Sequence, residues 1–164
     1  MAILNKTRDD IGTPGVAQNR YEILKEVISR YNKSMKNEYY LEAIAICESL
    51  ITDRMESRLG ELKKVSVEFD TLSNLRNQLL GNRRYPKLET NTSLERLYNE
   101  ICSKWAGQRN KAIHQSAKIS KASPKVWDDF LKDAKEAAEE GMEYFRALDN
   151  ELKKQRKNGL QRTK

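Results

Sequence analysis

Apolar residues recur every three to four positions along most of the chain, and that spacing predicts helices. Tyr21, Leu24, Val27, Ile28 and Tyr31 mark one inward face of a first helix. A second, longer helix is expected over about residues 37–64, with Leu41, Ile44, Ala45, Ile51, Met55, Leu59 and Leu62 on one stripe. Glu48 falls in the middle of that stripe. The alternation in Val65 to Asp70 could be a short strand, but a lone strand has no partner, so it reads as a connection. A short helix over 71–80 turns Leu72, Leu75, Leu79 and Leu80 inward and ends at Gly81. A loop follows to Thr92, and Ser93 is placed to cap the next helix, with Leu94, Leu97, Tyr98 and Ile101 inward. Gly107 is expected to break or bend the chain before a further helical stretch over 109–118.

Ser123-Pro124 is a helix start, with Asp128 and Asp129 suited to the first turn. Trp127, Phe130, Leu131, Ala134, Ala138, Phe145, Leu148 and Leu152 then form the longest apolar stripe. Gly141 lies on it, where a neighbouring helix can approach closely. The helix is expected to fray after Arg156. These elements make an all-α bundle of four to six helices. Residues 1–19 read as a flexible N-terminal segment, 20–156 as the helical domain and 157–164 as a basic tail.

The length of 164 residues suits one domain. One His and two Cys, Cys47 and Cys102 without a CxxC, leave no multi-histidine metal site, zinc knuckle or disulfide scaffold within one chain. Both thiols are expected to be buried small apolar groups. No apolar run reaches the length of a membrane span, and the N-terminus lacks the apolar core of a secretory signal, so the expected compartment is the cytoplasm. Nucleotide-binding loops of the GxxxxGK[ST] or GxGxxG kind are absent, and no metal or cofactor is expected.

Charge adds more by its placement than by its sum. The net charge is +7, but six bases without an acid lie between Leu152 and Lys164. Six more, again without an acid, lie over 101–127, while 128–143 carries a net of −5. The sole His lies inside the acid-free interior stretch, in the string Arg109-Asn110-Lys111-Ala112-Ile113-His114. On a helix Asn110 and His114 share a face, and the long stem of Arg109 can swing its guanidinium round to them. The three can converge on one small anion. An imidazole can take a proton from a ribose 2′-OH or give one to a leaving 5′-oxygen, and a guanidinium can hold the phosphate oxygens. One His cannot be both acid and base at once, so this chemistry calls for two chains with their motifs side by side. The bland reading is a helix surface with an incidental His.

The string also resembles the R-(x)4–6-H motif of the HEPN superfamily, in its RN-x3-H form, from Arg109 to His114. The likeness extends to helix order and size over about residues 21–155: a long early helix, the helix from Leu94 to Trp105, and a long final helix. It implies a metal-independent endoribonuclease, a toxin or an anti-phage, abortive-infection effector, acting as a homodimer across a shared cleft. Carried over, Arg109 and His114 would be catalytic and Asn110 supporting, with cleavage leaving a 2′,3′-cyclic phosphate and a 5′-OH. A partner antitoxin or regulator is a further implication.

Around this motif, Glu48 either pairs with Arg109 or sits at the edge of the core. Lys104, Lys111 and Lys118, and Arg83 and Arg84 in the preceding loop, are candidates for RNA phosphates. Trp105, Trp127, Phe130 and Phe145 are expected to fill the core or a dimer interface. The alternative function is a non-catalytic helical module that binds RNA or protein through its basic tail; a structural dimer with no nucleic-acid role is weaker.

Overall fold

A computed structural model describes residues 16–67, 69–115 and 127–162. All of its regular elements are helical: α1 (Val16–Lys36), α2 (Tyr40–Lys63), α3 (Leu72–Leu80), α4 (Thr92–Glu100), a π turn (Ile101–Trp105), α5 (Ala106–Gln115) and α6 (Trp127–Arg162). The fold class is therefore the expected all-α bundle. Among the described residues there is no strand, and Val65 to Val67 is indeed a connection. No described helix is long and apolar enough to cross a membrane.

Helix α2 is the hub, packed on α1, α3, α5 and α6. It runs parallel to α6. The Cys47 thiol meets the Ala138 carbonyl, Arg54 pairs with Asp149 at 2.8 Å and Arg156 with Glu61, so contacts advance together along both helices. Helix α1 lies antiparallel on α2, since Arg20 pairs with Asp53 and Arg30 with Glu42.

Two caps set the short helices. The Thr71 hydroxyl accepts from the Asn74 N–H at the start of α3, and Asn91 accepts from the Leu94 N–H at 2.8 Å at the start of α4. Asn91, rather than the expected Ser93, is thus the N-cap. The loop between them is pinned by Glu89, which is fully buried and takes two hydrogen bonds from Arg58 at 2.7 and 3.0 Å. A buried carboxylate is tolerable only with such partners.

The break expected at Gly107 lies earlier, as the π turn, so α4, the turn and α5 continue as one rod. The expected segment 116–118, Lys118 and the Ser123-Pro124 start lie outside the described residues. Helix α1 begins at Val16, ahead of Tyr21, and α6 runs through Arg162 rather than fraying at Arg156. Three of the C-terminal bases are neutralised within the chain: Lys153 by Asp149, Lys154 by Glu151 and Arg156 by Glu61.

Several residues expected to face inward are exposed. Tyr21 is 64% and Trp127 63% exposed, the latter resting on Phe130 with ring centroids 5.1 Å apart. Leu41 and Ala45 also lie on the outside, because the buried face of α2 is rotated toward Ala43, Cys47 and Leu50. There α1 and α6 supply the cover.

Trp105 is the largest fully buried side chain, and its indole N–H donates to the Ala137 carbonyl at 2.8 Å. It fits only because Gly141 faces it. A Cβ at Gly141 would lie 2.8 Å from the indole ring and 2.9 Å from the Cys47 Cβ. Neither neighbour is a flexible chain end. Gly141→Ala would gain about 1 kcal/mol from helix propensity at an open site. Here the overlap dominates, and we expect a net loss of about 1–3 kcal/mol in urea unfolding. A gain in stability would show that the two helices can part without cost.

Candidate functional site

The motif string occupies α5, directly after the π turn. Such turns frequently lie at functional sites, because the extra residue re-aims the side chains that follow. Ile101, Trp105 and Ala112 point into the core and fix the rod's inner face. The opposite side then carries Lys104, Asn110, Lys111 and His114, all exposed.

Arg109 sits between the two faces. Its Nη2 lies 2.9 Å from Glu48 Oε1, with the side chains 19% and 32% exposed. The pair considered from the sequence therefore forms, although Glu48 does so from the edge of the core. Leu41, Ala45 and Glu48 make an outward row on α2, and that row presents the carboxylate to α5. The Arg109 Nε is buried and has no hydrogen-bond partner among the described residues. A buried, unsatisfied donor costs about 1–3 kcal/mol, so the guanidinium retains binding capacity for an acceptor.

Arg109 and Asn110 form one wall of an open groove of about 1100 Å³ between α2, the start of α3 and the rod. The groove carries four carboxylates, Glu48, Asp53, Glu56 and Asp70, against two guanidiniums, Arg76 and Arg109. Most are already engaged. Asp53 pairs with Arg20 and Arg54, Arg76 donates to Asn99, and Asp70 accepts from Thr71, Asn74 and Gln78. Cys102 also lines it; burial pushes that thiol up to about 11, against the pull of Arg76 and Arg109, so it is not a nucleophile at neutral pH. Cys47, in the core, is pushed up to about 12 by burial.

His114 does not line this groove; it stands one turn beyond Asn110, on the outer face of α5. Lys104 and Lys111 share that outer side, with Lys111 3.7 Å from Asp133. Lys118 lies outside the described residues. Arg83 and Arg84 are exposed on the loop before α4, at the other end of the rod. Thr92 and Arg109 are about 25 Å apart along it, so the loop arginines are not part of the same site within one chain.

The sequence singled out the motif but not the groove beside it. Glu56, Phe69, Asp70 and Arg76 come from three elements, and none stands in a recognisable string. Only Phe69 leaves a signal, as a large aromatic at the end of the alternating stretch Val65 to Asp70. It is 99% exposed.

No protein-family model, no curated protein and no solved structure matches the chain, so the arrangement of Arg109, Glu48, Asn110 and His114 has to be interpreted on its own chemistry.

Proposed function

We propose that the protein is a metal-independent endoribonuclease of the HEPN type that works as a homodimer. The observation that carries this reading is the Glu48–Arg109 pair. It holds a guanidinium at the base of the face on which Asn110 and His114 stand exposed. A guanidinium held in place by a carboxylate reaches a phosphate with less loss of side-chain freedom than a free one. His114 supplies proton transfer, and Asn110 orients it or bonds the phosphate.

The second imidazole comes from a second copy. Two features support this. Leu41 and Ile113 are each 37% exposed, and Ala45 is exposed between them and the motif pair on α2. These apolar groups flank Glu48 and Arg109, where covering by a partner removes them from water. In the dimer one His114 deprotonates the 2′-OH and the other protonates the 5′-oxygen. The products are a 2′,3′-cyclic phosphate and a 5′-OH. A role as toxin or anti-phage effector, under control of an antitoxin or other regulator, rests on the resemblance alone.

Binding of RNA by the C-terminal bases alone is less well supported, since three of them are held by acids of the same chain. The test is incubation of single-stranded RNA with the protein in excess EDTA, with the product ends identified by mass spectrometry. Cleavage with cyclic phosphate ends is expected. Failure to cut, or 5′-phosphate ends, overturns the assignment.

A further inference from the structure

The groove beside Arg109 is poorly suited to a phosphate, because its carboxylates outnumber its guanidiniums. It is suited to the part of a nucleotide that carries no charge. Phe69 stands at its rim, 99% exposed, in a left-handed backbone conformation with φ 58° that a bulky residue seldom adopts. The next residue, Asp70, is fixed: its N–H donates to Glu56 Oε1 at 2.9 Å, and its carboxylate accepts from Asn74 and Gln78. The backbone that carries the ring is thereby tied to α2 at Glu56.

Glu56 is also the groove carboxylate that has neither a cation partner nor its second oxygen engaged among the described residues. Asp53 and Asp70 are engaged at both oxygens, and Glu48 holds Arg109. Glu56 Oε2 has no partner among the described residues, and Oε1 keeps a second lone pair. An ionised carboxylate only accepts hydrogen bonds. Guanine presents two adjacent donors, N1–H and N2–H2, on its Watson–Crick edge; adenine opposes the carboxylate with an acceptor at N1. Glu48 and Glu56 are about 12 Å apart along α2, within reach of neighbouring nucleotides on one strand.

We propose that this groove is a base-reading subsite. Phe69 stacks on an unpaired guanine next to the cut, and Glu56 accepts from its Watson–Crick edge, while the phosphates stay on the outer face with Lys104 and Lys111. This rests on RNA being the substrate, as proposed above. It also restricts the substrate to single strands, since a paired base cannot present that edge.

The test uses the full chain carrying His114→Ala, so that RNA stays intact. Labelled pentanucleotides UUGUU, UUIUU (I, inosine, lacking the N2 amine) and UUUUU are titrated by fluorescence anisotropy. Guanine is expected to bind about tenfold more tightly than inosine or uracil. Adding Glu56→Gln should erase the difference between guanine and inosine but leave UUUUU unchanged. Adding Phe69→Ala should weaken all three. Both side chains lie outside the core, and Gln keeps the acceptor for Asp70, so folding is not at stake. Equal affinity for guanine and inosine, a preference that survives Glu56→Gln, or capture of an arginine-rich peptide in place of RNA overturns the subsite. Guanine-selective binding by a protein whose wild-type form cuts no RNA supports the subsite and removes the nuclease reading. Cleavage indifferent to base does the reverse.

Discussion

His114→Ala is expected to lower RNA cleavage by about 10²–10⁴-fold, the usual weight of a general acid or base. The side chain is exposed and is not part of the core, so thermal stability should not change. Arg109→Ala should cost about 10²–10³-fold through lost phosphate stabilisation. It also frees Glu48 to repel the phosphate, so removing the cation does more than subtract one contact. The composite site makes a sharper forecast. If each dimer needs both imidazoles, mixed dimers are inactive. An equal, fully exchanged mixture of wild-type and His114→Ala chains then retains about a quarter of wild-type activity. Half of the activity would mean that each chain works alone. Full activity in the His114→Ala protein would end the catalytic assignment.

Trp105→Ala is the substitution with the largest expected effect on stability, about 3–5 kcal/mol. Trp105 is fully buried, and its indole fills the gap between the π turn and α6. Against a typical total of about 5–15 kcal/mol, that loss should bring the urea midpoint close to zero denaturant in a marginal case. The Ala137 carbonyl that it leaves stays within α6, so the cost is mainly the cavity. Its coupling to Gly141 can be measured. In the Trp105→Ala background the added methyl of Gly141→Ala no longer meets the indole but still lies 2.9 Å from the Cys47 Cβ, so its cost should shrink without vanishing. Additive losses in the double mutant would show that the ring and the glycine do not compete for the same volume.

The sequence indicated the helices because burial repeats at their period, and it indicated Gly141 because a small residue on an apolar stripe marks a close crossing. On α2 it found Ile44, Ile51, Met55 and Leu59, all buried, but misjudged where the covered face ends. Leu41 and Ala45 fit a 100° stripe as well as Ala43 and Cys47 do, and only the placement of α1 and α6 decides between them. Tyr21 was misjudged for a related reason: apolar character does not say whether a neighbour extends far enough to cover a helix end; Trp127, expected in the core or at a dimer interface, is not in the core. In the site, the Arg109 to His114 string was visible because it is local. Glu48 was visible as a charge on an apolar row. The groove was not, since Glu56, Phe69 and Arg76 meet only through folding. The charge tally over 152–164 did not show that Lys153, Lys154 and Arg156 meet acids of the same chain, because a run of like charges says nothing about acids waiting on another helix, such as Glu61.

The π turn gives the rod one residue more than a regular helix needs over the same stretch. Removing one residue from Ile101–Trp105 would let the helix close regularly and would leave the facing of α5 relative to α4 nearly unchanged, because the π turn spreads its extra residue over about the same rotation. A deletion within α4, which has no spare residue, would instead turn α5 by about 100° and take Arg109 away from Glu48, although no residue of the motif had changed. The partnership of these two side chains is set by counting, not by identity: it behaves like a reading frame with one spare letter, preserved by substitutions and by the deletion that closes the π turn, and lost by a deletion elsewhere in the rod upstream.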